Sequence, residues 1–276
     1  MPGLKALEMA IHALYASSPE WAAIGESLDQ LAHSATFRGV KKNARTLAGV
    51  VRINGSELFL KRVTYDSWAK GIVVRLHGSR ARRTIRGAAI LRHAGSAHPN
   101  LIAAFEQRRR GSVSASYVLV EYLRRPKILS RFALADGHGF RWRRVISARL
   151  AQEIRRLHDA GCYTRDLQET NLMLEMQGSV PKIYFTDLED FRRLPRVPWR
   201  FRLRNLVQLD RSIGQFLSRS HRLRFLQDYI GSKTSHGEVR LVVARLARMR
   251  QRIQRRRLRR QRSRVIVTPA MDSVQP

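Results

Sequence analysis

Cysteine is almost missing from this 276-residue chain. Cys162 stands alone, so no intramolecular disulfide can form, and a reducing cytoplasm is the expected setting. Acidic residues are scarce as well: 21 Asp and Glu against 53 Lys and Arg leave a formal net charge of +32. A surface that positive repels itself and seeks polyanions, which narrows the partners to nucleic acid, an anionic bilayer or a phosphorylated substrate. Long apolar runs are absent. None approaches the roughly 18 residues of a membrane span, so any membrane is expected to be met from the side. The N-terminus carries early acid and no continuous apolar core, unlike a secretory signal. No internal repeat is visible. The hydrophobic fraction, 43%, is nevertheless that of a packed globular body rather than a disordered chain.

The pattern of apolar residues predicts an α+β order. Residues 4–32 read as helical, with Leu4, Leu7, Ile11 and Leu14 at helical spacing and a second stretch from Trp21 through Leu31. Two β-rich runs, Thr46–Ile53 and Ser56–Val63, flank Asn54-Gly55, the strongest short-range hairpin signal. Residues 79–94 read as a helix ending at Gly95, and Tyr117–Leu123 as a buried strand. From about residue 141 the pattern turns helical, with Ile146, Leu150, Ile154 and Leu157 on one face and His158-Asp-Ala-Gly161 as the stop. A strand follows at Lys182–Thr186, then helix around Leu206–Leu217 and Leu223–Tyr229. The expected fold is bilobal: an N-terminal helical segment (1–35), a β-rich N-lobe (36–123), a mostly helical C-lobe (124–237) and an arginine-rich amphipathic tail (238–276), with a cleft between the lobes.

The chemistry is concentrated in Leu157-His-Asp-Ala-Gly161, Arg165-Asp166-Leu, Asn171-Leu-Met-Leu174 and Ile183-Tyr-Phe-Thr-Asp187. Phosphoryl transfer needs a carboxylate beside the attacking hydroxyl and oxygen ligands for Mg²⁺ on the phosphate side. A kinase catalytic loop supplies these as Asp, four residues, then Asn, with a further Asp at the end of a later strand. Asp166, Asn171 and Asp187 have that spacing and that context. Upstream, Leu58-Phe-Leu-Lys61 follows the hairpin as a phosphate-neutralising strand lysine should, with Phe59 on the same strand face. Val120-Glu121-Tyr122-Leu123 has the shape of an inter-lobe linker, where the backbone of Glu121 and Leu123 would read an adenine edge; a core strand end is the competing reading.

With these residues in view, the chain resembles the Kdo/WaaP-type lipopolysaccharide kinase family over roughly residues 36–231. Ser79-Arg-Ala-Arg-Arg83, Phe185-Thr-Asp187-Leu-Glu, Arg204-Asn-Leu-Val-Gln-Leu209 and Arg224-Phe-Leu-Gln-Asp-Tyr229 add to the match. The resemblance implies a protein-kinase-like fold and ATP-dependent phosphorylation of a sugar (Kdo or heptose) of lipopolysaccharide core at the cytoplasmic face of the inner membrane. It implies Asp166 as catalytic base, Asn171 and Asp187 as Mg²⁺ ligands, and Lys61 on the ATP phosphates. Four departures stand against the pattern of protein kinases. Thr164 replaces the usual His before Arg-Asp, Asp187-Leu-Glu189 lacks Phe-Gly, the 79–94 helix has no acid to pair with Lys61, and no Gly-x-Gly-x-x-Gly precedes Lys61. The Gly39–Arg45 turn would have to cover the phosphates instead. A kinase of another small molecule or protein, and a weakly active pseudokinase-like binding protein, are the alternatives.

From Arg240 to Arg264 there are twelve arginines and no acid, with Leu241, Val242, Leu246, Met249, Ile253 and Leu258 partly in helical register. This reads as a cationic amphipathic helix for an anionic membrane surface. A solvated tail and a nucleic-acid arm are the other readings, the last disfavoured because the run has no aromatics for stacking. The arginines at 192, 193, 196, 200, 202 and 204 can line an anionic acceptor.

Overall fold

The computed structural model describes residues 9–34, 37–66, 68–129, 140–214, 217–231 and 235–265. The N-terminal half is a six-stranded antiparallel sheet with strands in the order β1-β5-β6-β4-β3-β2. Its strands are β1 (Met9–Ala16), β2 (Arg38–Asn43), β3 (Thr46–Ile53), β4 (Ser56–Thr64), β5 (Leu101–Arg109) and β6 (Ser112–Glu121). The β3–β4 hairpin turns where Asn54-Gly55 requires it. Both residues have positive φ, 48° and 74°, the conformation that matches the twist of the flanking strands. In β4, Leu58 and Leu60 point into one core while Phe59 and Lys61 share the half-buried opposite face.

Two short helices, α1 (Pro19–Ala23) and α2 (Leu28–His33), cover the outer face of the sheet, where Leu28 and Ala32 pack with Val51, Leu60, Phe105 and Tyr117. The helix expected from residue 4 is not formed over its described part. Met9–Ala16 is a strand instead, paired antiparallel with β5 from Met9↔Arg109 to Ala16↔Ala103. The free edge of β5 offers a row of backbone donors and acceptors, and pairing with it outweighs a local helical spacing. A bulge between Ala13 and Tyr15 shifts the register. Residues 4–8 of that expectation lie outside the described residues.

α3 (Trp68–His77) and α4 (Arg80–His93) follow β4. The Ser79 side chain caps α4 by accepting from Arg82 N, and Ala81, Thr84, Ala88 and Leu91 bury its inner face. The C-terminal half is helical: α5 (Phe140–Asp159), α6 (Trp199–Ser212), α7 (Arg219–Ile230) and α8 (His236–Val265). All four apolar positions expected on α5, Ile146, Leu150, Ile154 and Leu157, are buried. Two small sheets accompany these helices, formed by strands on either side of α5. β7 (Lys127–Ile128), β9 (Leu172–Gln177) and β10 (Val180–Phe185) form one, and β8 (Cys162–Thr164) with β11 (Phe191–Arg193) forms the other.

The arginine-rich segment is helical through Val265; residues 266–276 lie outside the described residues. Its apolar stripe is used internally. Val242 is buried in the core, Leu246 and Met249 pack against it, and Arg250 pairs with Asp210 of α6 at 3.3 Å. The first turns of α8 are therefore part of the C-terminal packing. Among the described residues no helix is long and apolar enough to cross a membrane.

Candidate active site

The β8–β9 connection carries Asp166 and Asn171, and its shape is fixed from below. Thr164, in the place where a His was expected, is buried and its hydroxyl accepts from Asp166 N at 3.2 Å. Asn205 of α6 grips the same residue twice, donating to Thr164 O at 2.6 Å and accepting from Thr164 N at 3.4 Å. Gln208, one turn on, donates to Arg165 O at 2.6 Å. His158 sits beneath, fully buried, with Nε2 3.1 Å from Asn205 Oδ1 and Nδ1 2.8 Å from the Tyr229 hydroxyl. Burial holds its pKa down to about 4, against the bond to Asn205, so the ring is neutral. An amide oxygen can only accept, so Nε2 carries the proton and Nδ1 accepts from Tyr229. The segments Arg204–Leu209 and Arg224–Tyr229 thus supply the struts of this loop.

Above the struts, Asn171 Nδ2 donates to Asp166 O at 3.1 Å and to Asp166 Oδ2 at 3.3 Å, while Gln168 donates to Asp166 Oδ1. Thr186 N donates to Asn171 O at 3.1 Å, which ties the loop to the end of β10, where Asp187 stands. Lys61 reaches across from β4 to within 3.5 Å of Asp187 Oδ1 and 2.8 Å of Glu189 Oε1. Asp166, Asn171, Asp187 and Lys61, far apart in sequence, are brought to one place.

Glu189 was not singled out by sequence reasoning. Its carboxylate is buried and takes Lys61 and Arg80 on Oε1, the latter at 2.5 Å, and Arg83 on Oε2 at 3.2 Å. The acid missing from the 79–94 helix is supplied from the strand end, and the helix supplies arginines to it. Two signals pointed there: the triplet Asp187-Leu188-Glu189 and an Arg-rich first turn of α4 that lacks any local acid. Burial alone would raise the Glu189 carboxyl, but Lys61, Arg80 and Arg83 outweigh it and hold it below the usual range. Asp187 goes the other way. Burial raises it, Lys61 opposes, and the neighbouring Glu189 charge adds to the rise. For Lys61, burial works downwards, and the Glu189 and Asp187 carboxylates overcome it and raise the ammonium. α4 is docked on this segment at Gly87, where an added Cβ would fall 1.7 Å from the Leu188 carbonyl oxygen.

Glu121, expected on the adenine edge, closes β6. Its N–H donates to Asn100 O at 2.9 Å and its carboxylate accepts from Asn100 Nδ2 at 2.9 Å, so that N–H is already engaged and is not free for an adenine edge. Leu123 lies two residues on, in the connector. The turn expected to cover phosphates is the β2–β3 hairpin, with Gly39 within β2. There Asn43 Oδ1 already accepts from Arg45 N at 3.0 Å and Thr46 N at 2.8 Å, so those two amides are not free for phosphate. Among the described residues no three His, Cys, Asp or Glu side chains converge on one point. Mg²⁺ does not need such a cage, since it keeps several waters and binds through one or two carboxylates plus substrate phosphates. Asp187, partly open to solvent, is a carboxylate that could hold it, with Asn171 as a neutral oxygen donor.

Residues 31–229 match the model of the lipopolysaccharide kinase (Kdo/WaaP) family. Among solved structures, "WaaP in complex with acyl carrier protein" is similar with a TM-score of 0.65 at 18% identity, over 88% of this chain and 99% of that one. No curated protein sequence matches. The family model spans both the β4 lysine and the loop struts on α6 and α7, so the chain belongs to the lipopolysaccharide kinase (Kdo/WaaP) family and is a kinase.

Proposed function

We propose that the protein transfers the γ-phosphoryl group of ATP to a sugar hydroxyl, of Kdo or heptose, in lipopolysaccharide core. The observation that carries this reading is that two side-chain pairs, Asp166–Asn171 and Lys61–Asp187, are brought together by the backbone bond from Thr186 N to Asn171 O. Asp166 would accept the hydroxyl proton and orient the attacking oxygen. Asn171 and Asp187 would hold Mg²⁺, which when bound neutralises charge on the transferring phosphoryl group. Lys61, kept charged by Glu189, would meet the α/β-phosphates. Adenine would lie between the two halves, against the carbonyl of Glu121, the N–H of Leu123 and the face of Phe59. Asp166→Asn should retain ATP binding and lose about 10²–10⁴ in turnover on lipid A–core acceptors. Near-normal turnover in that variant would remove Asp166 from the mechanism.

Location belongs to the same reading. A bilayer-anchored acceptor calls for an enzyme at the cytoplasmic face of the inner membrane. Arginines of α8 beyond the docked turns would supply attraction of about 1 kcal/mol each near an anionic surface. For the partner named with the structural neighbour, a specific feature favours a counterpart here. An apolar cavity of about 350 Å³ opens between α6, α7 and α8, with Leu209, Ile213, Leu223, Phe225 and Leu246 in its lining. Its size and lining suit an acyl chain presented by a carrier protein. An acylated carrier protein should bind more tightly than the unacylated form; equal affinity would refute this use of the cavity.

A further inference from the structure

The ladder between β8 and β11 places Tyr163 opposite Arg192 and Thr164 opposite Phe191, and Arg165 N extends it by donating to Asp190 O at 3.0 Å. Directly opposed residues share a face, and faces alternate along a strand. Thr164 and Phe191 are buried, so Arg165, Arg192, Tyr163 and Asp190 share the outward face. α4 packs on β11 and brings Arg83 to the same place, on the far oxygen of Glu189 from Lys61. Arg192 is steadied by two backbone carbonyls, of Glu189 at 3.2 Å and Phe191 at 2.7 Å. A carbonyl aims a guanidinium without cancelling its charge. Arg83 Nε is buried without a partner, and the Arg165 side chain is exposed. Arg83 pairs with Glu189, whose carboxylate is already shared with Lys61 and Arg80, and the further carboxylate acting on Arg192 is that of Asp190. Burial, then the charge of Arg165 and in smaller part that of Arg83, push the Arg192 guanidinium down, offset partly by Asp190.

We propose that Arg83, Arg165 and Arg192 form a second anion subsite, separated from the nucleotide phosphates by Glu189, that takes a phosphate monoester already carried by the sugar acceptor. Guanidinium forks match phosphate oxygens in geometry as well as charge. The subsite begins at the residue next to Asp166, so a phosphate held there anchors the same molecule whose hydroxyl must reach that carboxylate. This deepens the proposed sugar-kinase reading and rests on it for the source of the phosphate, though not for the binding of the anion itself.

Two measurements on the full-length protein test it. The first needs no turnover: protection from thermal unfolding by inorganic phosphate in the absence of nucleotide. It should survive Lys61→Met and be lost in Arg192→Gln and in Arg165→Gln, two variants that guard against misfolding of either one, with Arg192→Lys restoring part of it. Protection that ignores both Gln variants, or no protection at all, overturns the subsite. The second compares phosphorylated acceptor with the same acceptor after phosphatase treatment. Arg192→Gln should raise KM for the phosphorylated form about tenfold or more, the size of one lost charge-assisted hydrogen bond. KM for the treated form and for ATP should not move. Phosphate protection that depends on the arginines, together with equal KM for the two acceptors, assigns the subsite to free phosphate and overturns the acceptor assignment. Failure of every sugar acceptor alongside arginine-dependent protection overturns the sugar-kinase reading and not the subsite.

Discussion

Gly87→Ala sets two effects of opposite sign against each other. In the interior of a helix, Ala is favoured over Gly by about 0.8–1.0 kcal/mol. Gly71, in α3, has nothing within 4 Å of an added Cβ, so Gly71→Ala should stabilise the protein by about that amount and leave turnover unchanged. At Gly87 the same methyl group meets the Leu188 backbone carbonyl at 1.7 Å, where ordinary contact begins at 3.4 Å. Neither a helix backbone nor a strand-end carbonyl can rotate away as a flexible side chain would, so α4 must retreat from Leu188–Asp190 by well over an ångström. That displacement draws Arg80 and Arg83 off Glu189 and lets the Lys61–Glu189–Asp187 arrangement shift. A misplacement of about 1 Å in a catalytic constellation costs on the order of 10² in rate. Gly87→Ala should therefore lose about a hundredfold in turnover and melt at lower temperature, while Gly71→Ala melts higher. Thermal unfolding and γ-phosphate transfer, measured on both variants, check this. If Gly87→Ala behaved like Gly71→Ala in both assays, the tight docking of α4 on the Asp187–Glu189 segment would be refuted.

The remaining expectations concern other parts of the molecule. His158 is held near pKa 4 in the fold and has the ordinary value of 6.5 when unfolded, so below pH 6.5 the unfolded chain takes up a proton that the folded protein refuses. Its contribution is intact above pH 6.5 and falls away as pH drops towards 4, by about 3 kcal/mol in all. Urea midpoints at pH 7 and 4.5 should show a drop that flattens in His158→Gln, and parallel slopes would contradict a neutral buried ring. Glu189→Gln leaves Lys61, Arg80 and Arg83 short of a buried countercharge and should destabilise by about 3–5 kcal/mol in chemical denaturation; Arg80→Gln, at an exposed partner, should cost much less, and equal losses would contradict the hub role of Glu189. Truncation after Ile253 removes seven of the arginines yet keeps Val242, Leu246 and Met249. The shortened protein should fold and bind anionic vesicles more weakly, and unchanged vesicle binding at 0.1 M salt would end the membrane role of the segment.

What could be read from the sequence was what is written locally. The Asn54-Gly55 hairpin and the α5 stripe each depend on a few neighbouring residues, and each stands in the fold where it was expected. What escaped depends on partners far along the chain. Residues 9–16 have helical spacing, but their strand is decided by β5, whose partners lie about ninety to a hundred residues further along the chain. The acid for Lys61 lies 128 positions on, and no local rule connects them. Asn205 and Gln208 look like polar residues on an amphipathic helix until the loop they hold is placed above them. The apolar residues of α8 read as a membrane-facing stripe, because sequence alone does not say that α6 is there to receive them.

The position of Glu189 bears on how this enzyme can be controlled. In protein kinases the acid that pairs with the strand lysine rides on the helix, and moving that helix opens and closes the pair as a switch. Here the acid sits two residues from Asp187, on the same short backbone segment, so the pairing of Lys61 with its acid does not run through the helix. α4 is clipped on from outside by Arg80 and Arg83. Swinging it away would remove two cations and leave Lys61 still paired. Moving α4 in such a design does not itself break the lysine–acid pair; it acts on the pair from outside, through Arg80 and Arg83 and the Gly87–Leu188 contact, a different lever from the one protein kinases use.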